Sequence, residues 1–392
     1  MREFIFALLL ASSALSGFAQ KSSTPKSDAP EKVTVVQLEQ ALLASSGKSD
    51  AETVQALTRL ELTERLSGAR FAHLKANLPG EKSQQALLIL ADQSAFLPPP
   101  DNEVVQEAAP DAAATRQMLV QIVNYVNNTV RQLPNLMAVR ETTSFEDRPA
   151  SDSLESTGVV SLSYLPIHFV GKSNVAVSYR DRKEVVDEGA TKSLKQAGLK
   201  EGGTIVGMTT SGEFGPFLSA VVGDALKGRI TWKRWEQDAG AKLAVFNIEV
   251  PDAKSNYYVK FCCVPNGFTS TGQADLKVFN ERASYHGEIT FNPADGSILR
   301  LTIQAEMPPK GLVPNAGIAL EYGSVEIGGK SYICPAKSVS FYQAHIAMQQ
   351  GMTSNTNFQG PAKTYLNDVE FIQYRRFGSE TRIFAGDNQP SQ

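Results

Sequence analysis

The sequence predicts an α+β protein: a small N-terminal helical domain, then a large curved antiparallel sheet, half-barrel-like, with a covering helix. Three observations carry this prediction. Apolar residues recur at helical spacing over 34–96 and again over 112–132. After Pro134 the period falls to two and holds to about residue 384. One segment, 211–227 (SGEFGPFLSAVVGDALK), returns to helical spacing in the middle of the strands.

The helical part divides into four. Val36, Leu38, Leu42 and Leu43 form one stripe that stops at Ser45-Ser46-Gly47. Asp50 is placed to cap a second helix carrying Val54, Leu57 and Leu60. Thr63 is placed to cap a third, with Leu66, Ala69, Phe71 and Leu74 inside and Asn77–Gly80 as its stop. A fourth runs from about 82 to 96 on Ala86, Leu87, Leu90 and Ala91. Residues 97–112, with Pro98-Pro99-Pro100 and Pro110, read as a linker. A long helix follows over 112–132, with Met118, Ile122 and Val126 on one side. Pro134 ends it.

The β domain is expected over 113–384, with helices at 113–133 and 214–227 and a tail at 385–392. About ten strands are expected between 136 and 384, paired mostly as a meander. Tyr285, Gly287, Ile289 and Phe291 alternate with polar neighbours, as do Leu299, Leu301 and Ile303. Such strands bury one face and wet the other. Asn292–Gly296 and Gly328-Gly329 supply turns between them. In the interrupting helix Phe214, Phe217, Leu218, Val221, Val222 and Leu226 share a face, and Pro216 suits its first turn. That face is the candidate apolar cover or ligand surface.

Residues 4–18 form an apolar run that is too short and too rich in small residues for a bilayer span. Gly17-Phe18-Ala19 fits small-x-small cleavage, so residues 1–19 read as a signal peptide cut after Ala19. Residues 20–33 read as a flexible leader. The expectation is a periplasmic or secreted protein that is not integral to the membrane once the signal is removed.

Composition excludes more than it selects. Of 392 residues, 38 are basic and 41 acidic, so no excess charge grips phosphates and no nucleic-acid partner is expected. The four His are scattered at 73, 168, 286 and 345 without ligand spacing, and neither a metal nor a cofactor is implied. There is no Gly-x-Ser-x-Gly elbow. Arg140–Arg148 and Arg180–Glu184 mix charges in the manner of solvated strand edges. Trp232 and Trp235 flank Lys233-Arg234, where packing of one Trp into the core is expected.

Three cysteines stand out: Cys262, Cys263 and Cys334. In an oxidising compartment two should bridge. Strand alternation puts Cys263 on the apolar face with Val259 and Phe261, which favours Cys263–Cys334. That bridge would close about 70 residues and contribute roughly 4 kcal/mol. Cys262–Cys334, a vicinal Cys262–Cys263 bridge and three free thiols stay open.

Several stretches, among them Leu60–Ser67, Gly212–Phe217, Tyr285–Ile289, Glu321–Pro335 and Leu366–Phe371, resemble a family of uncharacterised exported acidobacterial proteins. The resemblance implies export and a two-part plan, and carries no catalytic residue. The order of elements in the β domain is also similar to periplasmic lipoprotein carriers of the LolA/LolB type. That likeness implies a half-open barrel sheltering acyl chains. The expected function is therefore a non-enzymatic cell-envelope protein that binds a hydrophobic ligand (lipid or acyl chain) or an envelope protein partner. The alternative is an exported hydrolase with a dispersed polar site.

Overall fold

The computed structural model describes residues 30–155, 158–181, 183–186, 207–208, 213–238, 240–268, 274–347 and 359–377. The expected signal peptide, most of the expected leader and the expected tail lie outside the described residues.

The chain begins with strand β1 (Glu31–Val33), helices α1 (Val35–Ala44) and α2 (Asp50–Leu57) and strand β2 (Leu60–Leu62). Helices α3 (Gly68–Ala76) and α4 (Glu81–Gln93) complete a helical module. Three sequence expectations change here. Residues 31–33 leave the leader and pair in parallel with β2, so Leu60 belongs to a strand and not to a helix. Ser49, not Asp50, caps α2, in a reciprocal box with Glu52. The Asp50 carboxylate instead accepts the Ser83 amide at 2.9 Å, across the start of α4. A Cβ on Gly80 would lie 2.5 Å from Asp50 Cγ, so this contact requires glycine. Finally, Thr63 donates its amide to Val33 O at 3.0 Å and extends the β1–β2 pair instead of capping α3. Val35, Leu38, Leu57, Leu87 and Leu90 fill the module's core.

Strand β3 (Val104–Val105) and helix α5 (Ala112–Gln132) follow. The expected linker thus contributes an edge strand, because β3 pairs with Trp235 and Glu236. Strands β4 (Leu136–Arg148), β5 (Ser151–Glu155), β6 (Gly158–Leu162), β7 (Leu165–Arg180), β8 (Lys183–Val186) and β9 (Gly207–Met208) come next. Helix α6 (Pro216–Lys227) separates them from β10 (Arg229–Asp238) and β11 (Ala241–Val250). The last strands are β12 (Tyr258–Phe268), β13 (Ala274–Arg282), β14 (Tyr285–Phe291), β15 (Ile298–Ala305), β16 (Asn315–Ile327), β17 (Lys330–Ala347) and β18 (Gln359–Arg376).

Eleven strands form one open antiparallel sheet in the order β3-β10-β11-β14-β15-β16-β17-β18-β4-β7-β8. From β10 onward most of it is the expected meander, but β18 pairs with β4, so the last long strand meets the first. Strands β12 and β13 leave the meander and form a separate three-stranded sheet with β9. Gly328 and Gly329, at φ +60° and +76°, make the β16–β17 turn as the sequence predicted.

The two faces of the large sheet are covered differently. Against the inner face, α5 and α6 pack Met118, Ile122, Leu218, Val221 and Val222 onto Phe246, Ile289, Leu301 and Leu320. The small sheet covers the far end of the long strands, where Phe261 and Phe279 meet Tyr342 and Ala344. The helical module sits on the outer face. No helix among the described residues is long and apolar enough to cross a membrane.

The predicted cover face is split by this packing. Leu218, Val221 and Val222 are buried, Phe217 is half-buried against the same core, and Phe214 precedes the helix in a neighbouring cluster with Phe371. Leu226 departs from the expectation: it points to solvent at 52% exposure, one position past the buried Ala225. Within one helix, Leu218→Ala should therefore lose about 2–5 kcal/mol of stability and Leu226→Ala less than about 0.5. Urea denaturation of the two variants checks this contrast.

Candidate functional site

The module meets the outer face through apolar contacts and through charges that are taken out of water. Leu88, Ile89 and Phe96 pack on Phe145, Val339 and Leu366. Beside them, Lys337 on β17 reaches Asp92 at the end of α4 at 2.7 Å and Asp368 on β18 at 2.5 Å. Asp92 is 1% exposed and Asp368 2%. Burial, and then the neighbouring Asp368, push the Asp92 carboxyl well above the usual carboxylate range. Burial by itself would lower Lys337, but the two carboxylates override it and hold the ammonium charged.

A second group of charges lies nearer β10. Arg65 of the module bonds Glu236 at 2.8 Å, and Arg234 bridges Glu236 and Glu288. Lys233 reaches Glu288 at 2.6 Å. Against the effect of burial, the Arg234 and Lys233 contacts pull the Glu288 carboxyl down to about 2. Arg300, also buried, donates to the carbonyl of Ala95, and burial followed by nearby Arg65 lowers it to about 10. Such pairs hold two surfaces in one register, because removing one partner strands a charge away from water.

Between these charges and the free end of the module lies a cleft of about 720 Å3. Its roof is Leu57, Leu60, Ala86, Ile89 and Leu90. Its floor is Ile167 on β7, Phe341 and Gln343 on β17, Thr364 on β18 and Asp147 on β4. Arg59, Glu61 and Tyr164 stand among its other polar lining residues. Asp147 Oδ1 accepts the Thr364 amide at 2.8 Å, so this carboxylate is fixed in place. Burial, followed by the charge of Asp147, raises the Tyr164 hydroxyl, which keeps it protonated. The size, the interdomain position and the mixture of apolar walls with a few fixed polar groups are those of a ligand site.

The structure contains other concavities. A groove of about 710 Å3 runs past Arg229, Glu249, His286 and Glu306, whose charges already pair with one another. A hollow of about 510 Å3 within the module is lined by Leu42, Leu43, His73 and Leu74. Neither joins the module to the sheet.

The residues singled out from the sequence do not converge. Cys262 and Cys263 are joined to each other, while Cys334 is a buried free thiol in a different cluster. The expected Cys263–Cys334 bridge is therefore corrected. The alternation behind it fails because the β12–β13 register shifts between Phe261 and Val264, which buries Cys262 instead of Cys263. Burial raises the Cys334 thiol to about 12. His286 lies against Glu306. Trp235 is buried, with its indole N–H donating to Ala108 O at 3.2 Å.

The cluster expected to be a solvated strand edge also changes character. Strand β4 lies between β18 and β7, so Asp147 is buried and Arg140 turns inward to within 3.7 Å of Glu213. Glu213 is wholly buried, and neither of its carboxylate oxygens has a hydrogen-bond partner. Gly328 and Gly329 form the hairpin turn, and Lys330 and Ser331 already belong to β17. Among the described residues no group of three or more His, Cys, Asp or Glu is placed to hold a metal. Sequence reasoning missed Asp92, Lys337, Asp368 and the cleft, because each is built from residues far apart in the chain.

No protein-family model matches the chain, and no curated protein or solved structure matches it either.

Lys337→Met should lose about 3–5 kcal/mol by leaving Asp92 and Asp368 buried together without a cation. Replacing all three by apolar residues should cost far less, and chemical denaturation separates the cases. Glu288 gives a pH dependence. Its folded pKa of about 2 lies below the ordinary 4.5. Its contribution is thus complete above pH 4.5 and is lost as pH falls toward 2, by roughly 3 kcal/mol. Denaturation midpoints of wild type and Glu288→Gln across this range should converge in acid.

Proposed function

We propose that this protein is a non-enzymatic binding protein of the cell envelope, exported by its N-terminal signal, which holds an amphipathic ligand between the helical module and the sheet. The observation that carries the reading is the cleft of about 720 Å3, with Ile89, Leu90, Ile167 and Phe341 on its walls and Asp147, Gln343 and Thr364 at its polar end. Apolar walls draw a hydrocarbon portion out of water, and the few polar groups orient its head. The volume suits a ligand with a single acyl chain or one of similar bulk. The inner face, which the order of elements first suggested as a lipid trough, is occupied by α5 and α6. A carrier reading therefore moves to the outer face.

The geometry gives less support to a hydrolase. The carboxylate of Asp147 is spent on the Thr364 amide, and Tyr164 is shifted away from ionisation. His168 and His345 each donate through Nδ1 to a nearby backbone carbonyl, Pro166 O and Gly360 O. A nucleophile in reach of a base would have favoured catalysis.

The test is titration of the full chain with a fatty acid bearing a fluorescent tag. Wild type should bind at one saturable site. Ile89→Trp, which fills the cleft, should weaken binding by roughly tenfold or more while the circular-dichroism spectrum stays unchanged. Absence of binding, or equal binding by the variant, would overturn the reading.

A further inference from the structure

Strand β13 is the outer strand of the three-stranded sheet β13-β12-β9, and one of its edges is unpaired among the described residues. It is nine residues long, and of residues 275–282 only Phe279, at 6% exposure, is buried. Leu276 and Val278 are exposed at 53% and 49%, on the face opposite Phe279. An unprotected edge of this kind, with apolar side chains and a free row of backbone N–H and C=O groups, is a template for another strand.

The charges on β13 say which strand fits. Lys277 and Glu281 lie on the same face, two residues either side of Phe279. On the β12 side their ladder partners are Val264 and Val259, so neither charge is answered within the chain. Neither residue has an ion-pair partner among the described residues. A second copy of β13 laid antiparallel with its Phe279 opposite the first Phe279 brings Lys277 opposite the second copy's Glu281, and Glu281 opposite its Lys277. Two-fold symmetry makes both pairs at once. Moving the centre to Val278 sets Asp275 against Glu281, and moving it to Lys277 sets lysine against lysine. Centring on Leu276 also pairs opposite charges, Asp275 with Lys277, but aligns only five residues of each strand, whereas the register centred on Phe279 aligns seven.

We propose that the protein forms a two-fold dimer by edge-to-edge pairing of β13, which joins two three-stranded sheets into one of six strands. The pairing also covers part of the exposed strip of Leu276 and Val278, through cross-strand contacts with Arg282 and Asn280 of the second copy. It leaves the cleft on the outer face of the large sheet untouched.

Sedimentation equilibrium of the full chain tests this. Wild type should be a dimer whose dissociation constant rises by roughly tenfold or more in Lys277→Glu and in Glu281→Lys, since each puts two like-charge pairs across the axis. The double variant Lys277→Glu/Glu281→Lys should recover wild-type association, which also shows that the single variants are folded. A monomeric wild type would overturn the proposal. So would single variants that associate as well as wild type, or a double variant that fails to recover.

Discussion

The ammonium of Lys337, held between the buried carboxylates of Asp92 and Asp368, is the interaction on which the arrangement of the two parts depends. It joins the last turn of α4 to two central strands of the sheet. A buried pair of carboxylates is tolerable only while a cation lies between them, and the cation is itself stable there only because of them. Apolar contact alone would let the module slide over the outer face. A charge that must meet both partners at hydrogen-bonding distance does not. With Arg65–Glu236 as a second fixed point, the module has one register on the sheet, and the cleft takes its shape from that register.

The asymmetry of the sheet follows from the same division. Its inner face is a conventional apolar core covered by α5, α6 and the small sheet. The outer face carries Glu236, Glu288, Arg300, Lys337 and Asp368 and could not be sealed by apolar helices without stranding them. The module covers it with complementary charges and leaves a gap where the charges end. A cleft at such a junction is a consequence of two surfaces that match only in part.

Much of the secondary structure was readable from periodicity. The helix over 112–132, the turn at Gly328-Gly329 and the alternation in β14 and β15 came directly from spacing and turn chemistry. What spacing does not carry is which strand meets which. The pairing of β18 with β4 turned Asp147 from a surface charge into a buried one, although its neighbours alternate like those of an edge strand. Asp50 looked like a cap for its own helix and serves the start of another. The cysteines failed because a register shift in β12 between Phe261 and Val264 breaks the alternation at the cysteine pair itself. The charges at the junction gave no signal because each is isolated in sequence from the group that answers it: 245 positions separate Asp92 from Lys337.

The central claim is that ligand is held between module and sheet and not beneath the inner helices. Hydrogen–deuterium exchange of the full chain, with and without the tagged fatty acid at saturation, tests it most directly. The account predicts added protection in α4 around Ile89, at the start of β7 around Ile167 and in β17 around Phe341, with α5 and α6 unchanged. Protection concentrated in Ala112–Gln132 and Pro216–Lys227, with the cleft segments unaffected, would contradict it.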